Sequence, residues 1–465
     1  MLALSANSGL PTPFDCGRIC QGDVIAGKIA NVESYRWVVL GTAAVVQIAL
    51  SSASQSIPPV GPFIIDELKI SRAEMGLFVS TEHVGALLVV VLAGWLADVG
   101  GFRRTLLGGL AVMGVFMGAL AFLDVFTDVF TGALPFMDTY KTALVLVFFA
   151  GIGAGATSPS AIKGVMMWFQ GKHLATAMSI KQAGTTLGGM LAAVLLPAVA
   201  LAFNWRISLA LVGVSAITAA TIAYFFFKEY PRESTLRKPP AKNPGNVLRV
   251  LLGKDMLLTH MMGLLFVAIQ QSFTAYLTLY VTETFYISEG VKYPKEWAGL
   301  FLFFAFAGGL LGRIGWGLVS DRLLRGKRKG ILLVASVLGV LLAAALAVIP
   351  ATTPSVVVAL LALLVGFVIV GWNGVYMAFL TEQAGRDLAG TMAGFNQMAI
   401  RAGAIVAPPI FGYIVDVTGN YSLAWGYLAV LGIVEVGIIA AVREARGQRT
   451  DAGPQRTGPG HAHGP

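Results

Sequence analysis

Four cationic side chains, Lys163, Lys181, Arg313 and Arg401, stand inside long and otherwise apolar stretches of this 465-residue chain. An ionisable group at bilayer depth costs roughly 2.5–3.5 kcal/mol even on insertion scales, so it ordinarily faces a polar cavity and has a task there. A guanidinium suits a carboxylate, because its planar fork donates two parallel hydrogen bonds. Arg401, Arg313 and Lys181 are therefore the candidate substrate-binding cations. Gln182, Asn373, Tyr376, Gln47 and Gln271 are polar candidates for the same site, with interhelical hydrogen bonding as their other reading. Lys163 stands near the end of its stretch, where it can snorkel to the interface.

Acids are scarcer. Glu82 is the candidate proton carrier, since a carboxyl alternately near and away from a cation can load and release a proton. His83 adjoins it but points about 100° round a helix, which argues against a simple relay. Glu435, in the last apolar stretch, reads as a structural partner or a residue at the lipid edge. More cations than acids at this depth point to an anionic substrate that neutralises them. No P-loop of the Gly-x-x-x-x-Gly-Lys-Ser/Thr kind is present, and no metal-ligand or nucleophile constellation is evident. An enzyme reading has nothing to stand on, and no cofactor is expected.

The elements that must position these groups follow from composition. Only 12% of residues are charged and 56% are apolar, whereas ordinary soluble domains are roughly a quarter charged. The expectation is an all-α membrane protein with spans at about 36–60, 73–97, 104–124, 141–169, 172–202, 204–228, 253–284, 296–321, 329–350, 354–381, 388–416 and 421–442. The net charge of +9 would suggest nucleic acid for a soluble protein, but in a bilayer it is a matter of sidedness. Arg103, Arg104, Lys172, the run from Lys228 to Lys254, Arg322 to Lys329 and the tail arginines fall on one side. Lys69, Arg72, Lys141, Arg206, Lys292 and Lys295 fall on the other. That asymmetry places both termini in the cytosol, in a multi-pass protein of the cell membrane. Cys16 and Cys20 on the N-terminal tail make neither a disulfide framework nor a four-ligand zinc site.

With a rise of about 1.5 Å per residue in a core about 30 Å thick, Lys181 lies about 14 Å in from Lys172, Arg313 about 12 Å from Asp321, and Arg401 about 20 Å from Leu388. All three reach the middle of the bilayer. The basic segment 229–252 separates bundles at 36–228 and 253–442, with tails at 1–35 and 443–465, the second of them read as disordered. A repeat supports the division: Gly171 to Met178 matches Gly385 to Met392, and Gly94-Trp-Leu-Ala-Asp98 matches Gly317-Leu-Val-Ser-Asp321. Parallel half-repeats around a midplane site are a transporter architecture.

The loop Gly94-x-Leu-Ala-Asp98-x-x-Gly101-x-Arg103 resembles the signature loop of the major facilitator superfamily, and Gly317 to Arg325 resembles its second-half copy. Val99 and Phe102 depart from the pattern where basic residues are usual. The resemblance implies two pseudo-symmetric six-helix bundles. It also implies a cytosolic latch in which Asp98 faces a helix N-terminus of the opposite half, supported by Arg103, Arg104 and Arg322, with Gly317 and Asp321 as counterparts. Such a contact is physically sound, because a helix N-terminus stabilises an anion.

More narrowly, Arg313-x-x-x-Gly317-Leu-Val-Ser-Asp321 resembles span 8 of monocarboxylate and oxalate/formate porters. It implies that Arg313 engages a substrate carboxylate, with Arg401 as a second cation in span 11. The acidic first-span signature of the monocarboxylate porters is replaced by Ser54-Gln55-Ser56-Ile57-Pro58. Ile180-Lys181-Gln182-x-Gly184 resembles a run in bacterial porters of the superfamily.

The expected protein is a monomeric secondary transporter that moves a small organic anion by alternating access, through proton symport or anion exchange. The rivals are a proton-coupled exporter of hydrophobic or cationic compounds, which would want acids in its cavity, and a membrane sensor, which would want a large cytosolic partner domain. Replacing Asp98 with Asn tests the latch: transport is lost with membrane insertion intact, whereas unchanged transport contradicts it.

Overall fold

The computed structural model describes residues 15–169, 173–229, 244–288, 291–322, 328–385 and 388–444. Among these, twelve segments are long and apolar enough to cross a membrane, from Ser34–Leu68 to Ser422–Ala441. The first span consists of α1 (Asp15–Ser54) and α2 (Ile57–Leu68). It is followed by α3 (Arg72–Val99), then α4 (Phe102–Ala119) with α5 (Leu123–Ala133) as the third span, α6 (Thr139–Trp168), α7 (Leu174–Ala202) and α8 (Trp205–Phe226). A short helix α9 (Pro244–Leu251) lies in the basic segment. The second set is α10 (Lys254–Thr284), α11 (Lys295–Arg322), α12 (Arg328–Val348), α13 (Ser355–Ile369) with α14 (Asn373–Ala384) as the tenth span, α15 (Ala389–Thr418) and α16 (Ser422–Ala441). Strands β1 (Tyr286–Ser288) and β2 (Val291–Lys292) pair between α10 and α11.

Local sequence explains where the helices begin. Ser71 and Glu74 form a reciprocal capping box at the start of α3. Asp138 and Asn204 cap α6 and α8 by accepting from the amides of Lys141 and Ile207, each at 2.8 Å. Three spans are divided at mid-course, the third by a single 3-10 turn at Leu120–Phe122 between α4 and α5. Gln55 and Ser56 separate α1 from α2, where Pro58 and Pro59 supply no backbone N–H to continue the ladder. Residues 370–372 separate α13 from α14. The first span also runs on to Leu68 and the third to Ala133, beyond the ends expected at 60 and 124. Proline does not end a span whose neighbours re-satisfy the freed backbone groups.

The halves repeat in their packing as well as in their sequence. In the first, α3 lies so close to α6 that a Cβ at Gly151 would come within 2.1 Å of the Glu82 carbonyl. In the second, α11 approaches the tenth span as closely: Gly312 meets Gly371, where a Cβ on Gly371 would sit 2.7 Å from the Gly312 Cα. Small residues of this kind let backbones touch in a bilayer, where association is driven by van der Waals packing. The contact carries the break in the tenth span to the residue before Arg313.

The halves are joined at the end that carries Arg72. The Asp416 carboxylate of α15 accepts from the backbone amides of Arg72 (3.0 Å) and Ala73 (2.8 Å), capping α3 from the opposite half. The Arg72 guanidinium pairs with Glu283 at 3.1 Å and Asp416 at 3.7 Å, Tyr276 donates to the Arg72 carbonyl at 2.6 Å, and Lys295 pairs with Asp66. Deeper in, Thr278 donates to the Pro58 carbonyl at 2.6 Å and Ser80 to the Ala404 carbonyl at 3.4 Å. This seam depends on Gly412, since a Cβ there would lie 2.2 Å from the Arg72 carbonyl. Replacing Gly412 with Ala should open this end, lengthening the distance between spin labels at Thr131 and Thr352. An unchanged distance distribution would show that the seam yields without separating the halves.

Candidate functional site

Where the broken spans meet the glycine-packed helices, a cavity of about 210 Å³ opens between the halves. From the first half it is lined by Gln47, Ser51 and Ser54 of α1, Gln55 at the break, His83 of α3, Ser158 of α6, and Gln182 and Thr185 of α7. From the second half come Gln270 and Gln271 of α10, Arg313 of α11, Trp372 and Asn373 at the second break, and Gln397 and Arg401 of α15. No Asp or Glu is among its lining residues.

Six of the eight substrate-binding candidates line this space: Arg401, Arg313, Gln182, Asn373, Gln47 and Gln271. Arg313 donates from Nη1 to the Gln182 carbonyl of the opposite half at 3.2 Å. The Nε atoms of both arginines are buried without a hydrogen-bond partner. His83 meets the Gln271 amide Nε2 through its Nε2 at 2.8 Å, a second bridge between halves. Trp372 donates to Gln270 Oε1 at 2.9 Å and stacks on Phe266 with centroids 4.5 Å apart.

Two candidates stand behind the wall. Lys181 is 1% exposed and donates to Gln47 Oε1 at 2.5 Å. Tyr376 is fully buried on the far side of Trp372: its hydroxyl bonds to the Thr259 carbonyl at 3.1 Å and to Asn396, and its ring lies 5.2 Å from that of Trp372. One helical turn beyond Trp372, Tyr376 faces α10 and α15 instead of the cavity, and supports the indole from behind. Glu82 is also behind the lining, 6% exposed, accepting from the Ser54 hydroxyl at 2.7 Å and interacting electrostatically with Arg401 and His83. Glu435 is buried in α16, beside Ser336 of α12 and away from the cavity.

The gating candidates lie at the other end of the molecule from Arg72. Gly94 and Gly317 face open space. Gly101 turns the chain with φ +94° against the Glu229 carboxylate. Arg103 donates to the Tyr224 carbonyl and lies 5.2 Å over that ring. Arg104 and Lys163 border a second pocket, which Gly101, Arg103 and Glu229 also line, with Lys163 donating to the Ala97 carbonyl at 2.6 Å. Arg322 is exposed. The side chains of Asp98 and Asp321 lie outside the described residues, as do most of the tails and of segment 229–252.

Sequence reasoning passed over Ser51, Ser54, Ser158, Thr185 and Gln397 and discounted His83. The signal for several of these was helical spacing from residues already singled out. Ser51 and Ser54 lie four and seven residues after Gln47, and Gln397 lies four before Arg401, on the same helix faces.

The model of the Major Facilitator Superfamily matches residues 43–408. A hexuronate transporter of Bacillus subtilis is 27% identical over 398 residues, covering 83% of this chain and 89% of the relative. The "Probable sulfoacetate transporter SauU" of Cupriavidus necator is 24% identical, covering 88% and 93%. The "Probable galactarate/D-glucarate transporter GarP" of Escherichia coli is 23% identical, covering 78% and 84%. Among solved structures, a bacterial homologue of the human lysosomal transporter Spinster aligns with a TM-score of 0.65 over 87% of this chain and 96% of its own. The nucleoside transporter NupG aligns at 0.67 over 88% and 98%. At 14% and 13% identity these two speak to the fold alone. The chain is a member of the Major Facilitator Superfamily, a multi-pass membrane transporter and not an enzyme.

Proposed function

We propose that this secondary transporter carries a small organic anion, a carboxylate with hydroxyl groups along its length, by alternating access. The observation that carries the reading is the pair of guanidiniums, Arg313 and Arg401, in a cavity with no carboxylate among its described lining residues, each with a buried Nε that no described acceptor satisfies. A buried charge left unpaired is costly, and a carboxylate presented to two planar forks removes that cost with geometric specificity. The amides of Gln47, Gln182, Gln270, Gln271, Asn373 and Gln397 offer both donors and acceptors, which suits substrate hydroxyls. The relatives named for hexuronate, sulfoacetate and galactarate or glucarate transport all carry organic anions by their names, which supports the same class.

Arg401 and Arg313 hold the anionic group, while Gln182, Asn373, Gln47 and Gln271 read the rest of the molecule. Glu82 takes the coupling proton, with Ser54 as its link to the cavity and Arg401 as the cation whose field changes when substrate arrives; exchange for a second anion is the other coupling that this charge balance allows. Both termini and the Gly94–Arg104 loop face the cytosol, on the basis of the basic residues gathered there, and the halves are sealed at the outer, Arg72 end. Asp98, Arg103, Arg104, Gly101, Asp321 and Arg322 form the opposing latch when the cavity turns outward. An exporter of cationic compounds finds no carboxylate among the lining residues to attract its cargo.

Replacing Arg401 with Gln in proteoliposomes should raise the KM for organic-anion uptake roughly 10- to 100-fold, the loss of one charge-assisted contact of about 1.5–3 kcal/mol. Uptake with an unchanged KM would remove Arg401 from the site.

A further inference from the structure

Lys181 is a buried cation that is not among the residues lining the cavity, and its one hydrogen-bond partner among the described residues is the side chain of Gln47. An ammonium only donates, so the atom facing it must be the amide oxygen, and the orientation of the amide is thereby fixed. The Gln47 Nε2 then lies 3.1 Å from Ser51 Oγ and 3.1 Å from Thr185 Oγ1. Both hydroxyls accept from that nitrogen, neither donates to any other described group, and both line the cavity. Their O–H hydrogens are left for a third partner. Close packing of α7 on α1 holds the chain in place: Ser52 donates to the Gly188 carbonyl at 3.1 Å, and a Cβ at Gly188 would meet the Ile48 carbonyl at 2.4 Å.

We propose that Lys181 is a positioning residue that acts through Gln47, turning the hydroxyls of Ser51 and Thr185 on the first-half wall so that their O–H hydrogens are presented to the oxygen acceptors of the substrate anion. The inference rests on the anion reading above and deepens it. The arginines supply charge from the second half, and the lysine supplies polarity from the first without entering the cavity. Each hydrogen bond in the sequence ammonium, amide, hydroxyl runs in one direction and strengthens the next. The chain selects ligands by the group they place there: a carboxylate, ether or hydroxyl oxygen finds two free donors, whereas an ammonium meets hydroxyls that each already have one lone pair engaged by Gln47. A substrate held on both walls also ties the halves to each other, so the polarity of this wall bears on which cargo permits closure.

A double-mutant cycle in proteoliposomes tests the chain, with D-glucuronate counterflow as the probe. Lys181→Met and the paired substitution Ser51→Ala with Thr185→Val are each expected to raise the KM about tenfold, with kcat changed less than threefold and melting temperature within a few degrees of wild type. Combining them should add little beyond either alone, because both cut the same chain. Additive losses, or an unchanged KM for Lys181→Met, overturn the proposal. If Lys181→Met fails to fold, the Ser51→Ala/Thr185→Val protein decides alone, since it leaves every charge in place, and a wild-type KM there is contradictory. A wild-type protein that neither transports glucuronate nor is thermally stabilised by any organic anion overturns the anion reading itself, and this inference with it. Wild-type transport with indifferent variants overturns the inference alone.

Discussion

Positive charge held in the middle of a membrane without a facing carboxylate is the constraint around which the rest of this molecule is arranged. Two guanidiniums in a low-dielectric setting are tolerable only where polar groups, water or a ligand can reach them. The cavity between the halves provides that setting: its wall carries amides on both sides and hydroxyls on the first-half side, and Arg313 leans on a backbone carbonyl of the opposite half. Were Glu82 itself in the lining, the arginines would have an internal counter-ion. It stands one layer back instead, behind Ser54, close enough to be felt electrostatically and too far to neutralise the site by contact.

Backbone packing makes this placement possible. The tenth span breaks where Gly371 rests on Gly312, so the second-half wall brings Trp372, Asn373 and Arg313 to one level. The first span breaks beside the same cavity, at Gln55. Irregular backbone at membrane depth is tolerated where it lines a polar cavity, and both breaks lie there. The seam at the Arg72 end completes the arrangement. One antiparallel helix pair, α3 with α15, runs from the Asp416 cap at that end past Ser80 and Ala404 to Arg401 at the cavity. The same two helices therefore carry both the arginine at the cavity and the contacts that join the halves.

The fold was legible in the sequence because its signals are local and strong. Apolar runs of sufficient length, the asymmetry of basic residues and the two aspartate loops each register in a single pass. Arg313 and Arg401 were legible for the same reason, as charges where charge is expensive. Orientation about a helix axis was less so. Tyr376 is four residues past Trp372, and only the break at residues 370–372 determines that the indole faces the cavity while the phenol turns toward α10 and α15. Lys181 and Gln182 are neighbours in sequence, and the direction of α7 sends the lysine to Gln47 and the glutamine to the cavity. The contact of His83 with Gln271 joins residues from opposite halves, which no local pattern encodes.

If the uncompensated guanidiniums are what the substrate answers, the charge of the ligand must matter more than its shape. Isothermal titration of the purified protein with D-glucuronate and with its neutral isostere D-glucuronamide compares the two with size and hydroxyls held constant. The acid should bind at least tenfold more tightly than the amide, a difference of about 1.4 kcal/mol or more, as expected when a charge-assisted pair is exchanged for a neutral one. Equal affinities, or a preference for the amide, would contradict the account at its centre.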